Sequence, residues 1–172
     1  MGAAHPIVIV HLFPHFDPGI PDPEFIILDE PTSALDVSVQ AHVLQTLSEI
    51  QKESKLAFLL ISHDIAVVRY MCSRLNVMYL GKIVEEGPRD VVFSSPGHPY
   101  TKALLDAVPR LRGKREPKKT RVVLKGEVTT TNVRLSACPL LPRCPYKMDK
   151  CNRMPPAVEV SAGHRVACWL VS

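Results

Sequence analysis

Apolar positions along the chain fall into two short unbroken runs, each followed by a polar loop and then by a stretch with helical spacing. The first run, Phe25-Ile26-Ile27-Leu28, gives way to Asp29-Glu30-Pro31-Thr32-Ser33-Ala34-Leu35-Asp36, and from about Val37 to Ser54 the residues Val43, Leu44, Leu47 and Ile50 recur with the helical period. An unbroken apolar run of four or five residues reads as a strand buried on both faces; the 3.6-residue repeat reads as a helix with Asp36 at its N-cap. The second run, Ala57 to Ile61, passes through Ser62-His63-Asp64 into a short helix from about Ile65 to Cys72, capped by Asp64. Two consecutive strand–helix units predict a parallel sheet with helices on both faces, whose ligand loops lie at the C-terminal strand ends. Asn76–Leu80 and Lys82–Gly87 around the Gly81-Lys82 turn predict a hairpin, followed by short helices over Asp90–Phe93 and Tyr100–Val108. Residues 1–21 are rich in Pro and His without a sustained period and stay unassigned.

Size and charge narrow this picture only a little. A chain of 172 residues, 46% of them hydrophobic, suits one domain with an appendage. A net charge of +4 permits anionic partners without requiring them. The longest apolar runs, Ile7–Phe13 and Ala57–Ile61, fall well short of the ~18 residues of a membrane-spanning helix. The first stretch lacks a basic start and is interrupted by Pro6 and Pro14, so it reads as no signal peptide and the compartment as cytosolic. Five cysteines in that compartment read as thiols or metal ligands, not disulfides. Between Arg110 and Arg121, seven basic residues stand against Glu116 with no aromatic side chain among them, which predicts a solvated linker and no nucleic-acid partner.

The chemistry concentrates at the end of the first strand. Two adjacent carboxyl groups there repel each other unless they face a cation or a reacting water, which suits a metal-bound nucleotide. FIILDEPTSALD resembles the Walker B strand and D-loop of ABC ATPases. That resemblance implies that Asp29 holds Mg²⁺ beside ATP, that Glu30 is the catalytic base, and that Ser33 to Asp36 form a loop communicating across a nucleotide-sandwiching dimer. LLISHD resembles the switch-histidine segment of the same ATPases, which implies that His63 contacts the γ-phosphate and helps hold the water. A capped, solvated turn is the bland alternative for the carboxyl pair. A Ser33/His63/Asp36 hydrolase triad lacks the G-x-S-x-G elbow.

Downstream, GHPYTKALLDAVPRL resembles the segment that follows the ATPase core in oligopeptide, dipeptide and nickel importer subunits. Pro99 suits the first turn of a docking helix with Ala103, Leu104 and Val108 on its apolar face. Cys138, Cys144, Cys151 and Cys168, separated by five, six and sixteen residues, can converge on one metal. The Cys138-Pro139 and Cys144-Pro145 pairs favour iron–sulfur over zinc, whose structural sites prefer closer pairs. By resemblance to the cysteine-rich extension of peptide-importer ATPases, the set implies a [4Fe–4S] cluster, with zinc as the alternative. Cys72, beside Val67, Val68 and Met71, reads as a small buried hydrophobe.

No G-x-x-x-x-G-K-[ST] phosphate loop and no Gly-Gly dipeptide occur in the sequence. The expected fold is therefore α/β: a partial P-loop NTPase parallel sheet with flanking helices, plus a cysteine-rich C-terminal extension. Residues 1–21 are unassigned, 22–96 form the C-terminal half of an ABC ATPase core, and 97–172 form the extension with its metal-binding tail. The implied function is that of the ATP-binding and ATP-hydrolysing subunit of an ABC importer, for dipeptides or oligopeptides ahead of nickel, inactive as this chain alone. It would sit peripherally on the cytoplasmic face of the membrane, with a second ATPase subunit (the same or different) and transmembrane permease subunits. A non-catalytic metal-binding docking module and a pseudogene product are the alternatives.

Overall fold

The computed structural model describes residues 7–10, 25–54, 56–108, 122–124, 126 and 136–172. The basic run Arg110 to Arg121 and most of residues 1–21 lie outside them. In chain order the elements are β1 (Ile7–Val10), β2 (Phe25–Asp29), α1 (Val37–Ser54), β3 (Ala57–Ile61), α2 (Ile65–Met71), β4 (Arg74–Tyr79), β5 (Lys82–Pro88), α3 (Arg89–Ser94), α4 (Pro99–Ala107), a 3₁₀ turn Asp149–Asn152, β6 (Ala157–Ser161) and β7 (His164–Ala167).

Local chemistry accounts for most of the boundaries. Asp36 accepts the backbone N–H groups of Ser38 and Val39 at the start of α1, and Asp64 accepts those of Ala66 and Val67 at the start of α2. Pro99 occupies the first turn of α4, where its missing N–H leaves no bond unmade. Leu80 (φ 47°) and Gly81 (φ 74°) form a two-residue turn with both central φ angles positive, the geometry that matches the twist of the β4–β5 hairpin.

All seven strands join one sheet in the order β2-β3-β1-β4-β5-β7-β6. The expected parallel sheet is found only in the β2–β3 pair, where Asp29 stands opposite Ile61; β1 runs antiparallel to both β3 and β4, and every later pair is antiparallel. The strand–helix units still set direction. Because β1 is antiparallel to each neighbour, β3 and β4 point the same way, so β2, β3 and β4 are co-directional with a reversed β1 between the last two. Ile7–Val10, left unassigned by its lack of period, is thus a central strand.

The tail is no separate appendage either. Its β6–β7 hairpin extends the same sheet through Glu85 opposite Val166 and Glu86 opposite Arg165. Cys138, Leu140 and Cys151 pack in one core with Leu60, Val67, Val77, Tyr79 and Val84. Burying each of the large side chains contributes about 1.5–3 kcal/mol. Cys72 is buried there as expected, and burial pushes its thiol up to about 12. At the other end, β2 is an edge strand, so FIIL is not buried on both faces: Ile27 is 60% exposed. No helix among the described residues is long and apolar enough to cross a membrane.

Candidate functional site

The parallel pairing of β2 and β3 delivers Asp29, Glu30 and His63 to one end of the sheet. The ladder continues one residue past the strand, with the Glu30 N–H donating to the Ile61 carbonyl at 2.9 Å. Glu30 then turns into the left-handed region (φ 44°), a conformation costing about 1–2 kcal/mol that persists where the surroundings enforce it. Here the enforcing contacts are local: both the N–H and the hydroxyl of Ser33 bond the Glu30 carbonyl, at 3.2 and 3.1 Å. The turn brings Glu30 Oε1 to 3.0 Å from His63 Nδ1. Gln40 on α1 donates to Asp64 at 3.2 Å and so ties the two loops together. A carboxyl group and an imidazole in contact at a half-exposed strand end can share the orientation of a water molecule and accept its proton.

Of the other residues assigned to this site, Asp29 ends β2 in solvent, and Ser33 and Asp36 are exposed on the connecting loop. Asp36 holds its carboxyl below the usual range, chiefly through the Ser38 hydroxyl and then the Val39 N–H. Within the described chain, Ser33 and Asp36 shape the loop and start α1.

A second polar centre lies across the sheet and was not legible beforehand. Glu85 on β5 is 1% exposed and meets three donors: the N–H of Gly97 at 2.7 Å and His164 Nε2 at 2.7 Å on Oε1, and the N–H of His98 at 2.9 Å on Oε2. One side chain thereby pins β7 and the entry to α4. In the His98-Pro99-Tyr100 segment each residue has a structural task. Nδ1 of His98 accepts the Tyr100 N–H at 3.1 Å and caps α4, Pro99 opens the helix, and the Tyr100 ring tilts against Tyr79 at 4.6 Å. Burial, and then Lys102, pushes the His98 imidazole down to about 4. The signal that could have marked Glu85 is alternation: of two adjacent glutamates on one strand, one must face inward, and Glu86 is the one that faces solvent and pairs with Arg165 at 2.9 Å.

Cys138, Cys144, Cys151 and Cys168 line one small apolar cavity of about 10 Å³, walled by His98, Leu140 and Trp169. The expectation of a formed metal centre needs correction: among the described residues no group of three or more His, Cys, Asp or Glu is set to hold a metal ion. Protonated thiols in an apolar cavity pack as neutral groups; only thiolates around a cation draw in to bonding distance. Burial raises the thiols of Cys138 (to about 11), Cys144 and Cys168. Against that, the backbone N–H groups of Leu140, Tyr146 and Leu170 point at the sulfurs of Cys138, Cys144 and Cys168, each two residues earlier, and favour the thiolate. As placed, the four thiols share a cavity with room for about one water molecule and are not set as the ligand shell of a metal.

Residues 84–151 match the family described as the oligopeptide/dipeptide transporter, C-terminal region. The oligopeptide transport ATP-binding protein AppF of Bacillus subtilis (strain 168) is 44% identical over 152 residues, covering 88% of this chain and 46% of the relative. The dipeptide transport ATP-binding protein DppF of Escherichia coli (strain K12) is 41% identical over 150 residues, 87% of this chain and 44% of the relative. The oligopeptide transport ATP-binding protein OppF of the same organism is 44% identical over 150 residues, 87% of this chain and 45% of the relative. The chain spans less than half the length of these relatives.

Proposed function

We propose that the chain is part of a peptide-transport ATP-binding protein of an ABC transporter and supplies the water-activating part of an ATP-hydrolysing subunit that drives peptide import. The carrying observation is the 3.0 Å contact between Glu30 and His63 at the ends of two parallel strands. Mg²⁺ supplies charge neutralisation to the nucleotide phosphates when bound, and Asp29, exposed at the end of β2, is the residue to hold it. Glu30 accepts the proton of the attacking water. His63 orients the Glu30 carboxyl group and faces the terminal phosphate. Ser33 and Asp36 lie on the loop that faces a second ATPase subunit, whether a copy or a homologue, and permease subunits anchor the assembly peripherally at the cytoplasmic membrane face.

By resemblance to the family's cysteine-rich extension, the four cysteines would hold a [4Fe–4S] cluster, or a single zinc ion, only after drawing together as thiolates. A cluster would supply a cross-link and a one-electron couple. Cys138, Cys144, Cys151 and Cys168 would provide the sulfurs, and the amides of Leu140, Tyr146 and Leu170 would favour the thiolates of Cys138, Cys144 and Cys168.

A chimera tests the catalytic part. Residues 22–172 replace the matching region of the Escherichia coli dipeptide transport ATP-binding protein, and phosphate release is measured in the assembled transporter. Turnover should persist and fall about 10²-fold or more with Glu30→Gln, the range for loss of a general base. A folded, assembled chimera whose turnover ignores Glu30→Gln would reject the assignment.

A further inference from the structure

A cleft of about 430 Å³ opens where α4, the end of β4 and residues 122–124 meet. Its size falls among small-molecule sites, about 300–1,000 Å³, and its described lining includes neither the Glu30–His63 pair nor any of the four cysteines. Tyr100, Ala103, Leu104 and Ala107 line it at the i, i+3, i+4, i+7 spacing of one helix face. Val122–Leu124 form a second apolar wall, tied to α4 by the Val122 N–H, which donates to Asp106 Oδ2 at 3.2 Å. Two opposite charges stand in these apolar surroundings. At the β4 end, Arg143 donates from Nη1 to the Tyr79 hydroxyl at 3.5 Å and from Nε to the Gly126 carbonyl at 3.2 Å. A guanidinium carries five N–H donors, so these two bonds do not exhaust it. The Tyr100 ring lies 4.6 Å from that of Tyr79, and burial, then Tyr79, pushes its phenol up to about 12, which keeps it an O–H donor. Asp106 follows Tyr100 six positions along α4, which at a rise of about 1.5 Å per residue is about 9 Å. An ionised carboxyl group accepts at about four lone-pair sites, of which the Val122 amide uses one.

We propose that this cleft binds a short zwitterionic peptide of two or three residues, its terminal carboxylate on Arg143 and the tyrosine hydroxyls, its terminal ammonium on Asp106. A simple anion drawn to Arg143 meets the like charge of Asp106, and a simple cation meets the reverse; a ligand carrying both signs satisfies each. Length sets the class. An extended peptide advances at most about 3.3–3.6 Å per residue, so a single amino acid falls short of both charges while two or three residues bridge them. The apolar stripe of α4 and the Val122–Leu124 wall then cover the side chains between the two ends. The assignment stands on the charges and spacing of the cleft, not on the ATPase reading, so either can fail without the other.

The full chain is titrated calorimetrically with alanyl-leucyl-alanine and with its N-acetylated and C-amidated forms. The free peptide should bind, and each cap should weaken binding about tenfold or more, the range for a lost hydrogen bond to a charged group. Asp106→Asn should weaken the free peptide by a similar factor and leave the acetylated form unchanged; Arg143→Gln should do the same for the free peptide and spare the amidated form. Because both side chains also hold neighbouring segments, either variant can fail to fold, and the capped peptides on the parent protein then carry the test alone. No binding of the free peptide, or equal affinity for all three forms, overturns the proposal. Weakening by one cap only reduces the cleft to a simple ion site and overturns it as well.

Discussion

The two polar centres of this chain are built on opposite terms. At the β2–β3 end, Glu30 and His63 are half exposed and meet at 3.0 Å, and the strand that leads into Glu30 forms the open edge of the sheet. At the β5–β7 junction, Glu85 and His164 have side-chain exposures of 0% and 3%, and one carboxyl group ties three segments together. The first arrangement leaves room for a ligand and does little for stability. The second excludes ligand and is where the fold is held.

The strongest test of that contrast is to remove each carboxyl group. Glu85→Ala leaves two amides and an imidazole buried without partners and should cost about 3–5 kcal/mol in urea unfolding, the range for breaking a buried pair. If Glu85→Ala unfolds no more easily than Glu30→Ala, the division is wrong.

Acid should find the same region. The folded state keeps His98 neutral down to about 4 whereas the unfolded chain protonates near 6.5, so the contribution is complete above pH 6.5 and is lost as pH falls toward 4. The loss amounts to roughly 3 kcal/mol across that window. Thermal unfolding of the parent should show this slope, and His98→Gln should flatten it.

Smaller still, Gly97→Ala should destabilise by about 1–3 kcal/mol, because its Cβ would meet Val166 at 2.6 Å. At the open end the sign reverses. Glu30→Gly removes a side chain from a left-handed position and should leave stability unchanged or raise it by up to about 1 kcal/mol, while turnover in the chimera is lost. A clear destabilisation by Glu30→Gly would mean that the Glu30–His63 contact holds the fold after all.

What the sequence disclosed divides along the same line. The β2–α1–β3–α2 stretch was legible because its determinants are local: unbroken apolar runs, a helical period, and the Asp36 and Asp64 caps. Ile7–Val10 was not, because no strand–loop–helix pattern surrounds it in the Pro- and His-rich residues 1–21 and its partners, such as Ile61 opposite Val8, are distant in sequence. The exposure of Ile27 was misjudged for a related reason, since an apolar run cannot reveal that its strand lies at an edge. Of the candidate site residues, the motif match located Glu30 and His63, and the structure joins them. Ser33 and Asp36 need a second subunit for the role assigned to them. Glu85 and His164 escaped notice because they lie 79 residues apart and meet only through strand order.

The position of β1 has a competitive consequence. Its slot, between Leu59–Ile61 on one side and Asn76–Val77 on the other, is bordered by two co-directional strands, so a third strand running the same way could occupy it with an unbroken parallel ladder. Ile7–Val10 already fills it in the opposite sense, joined to β2 by the intervening residues 11–24. Because it belongs to the same chain, the resident strand competes for the slot intramolecularly. Any segment seeking that slot from another molecule must therefore displace it, and deleting residues 1–21 should tighten that segment's binding.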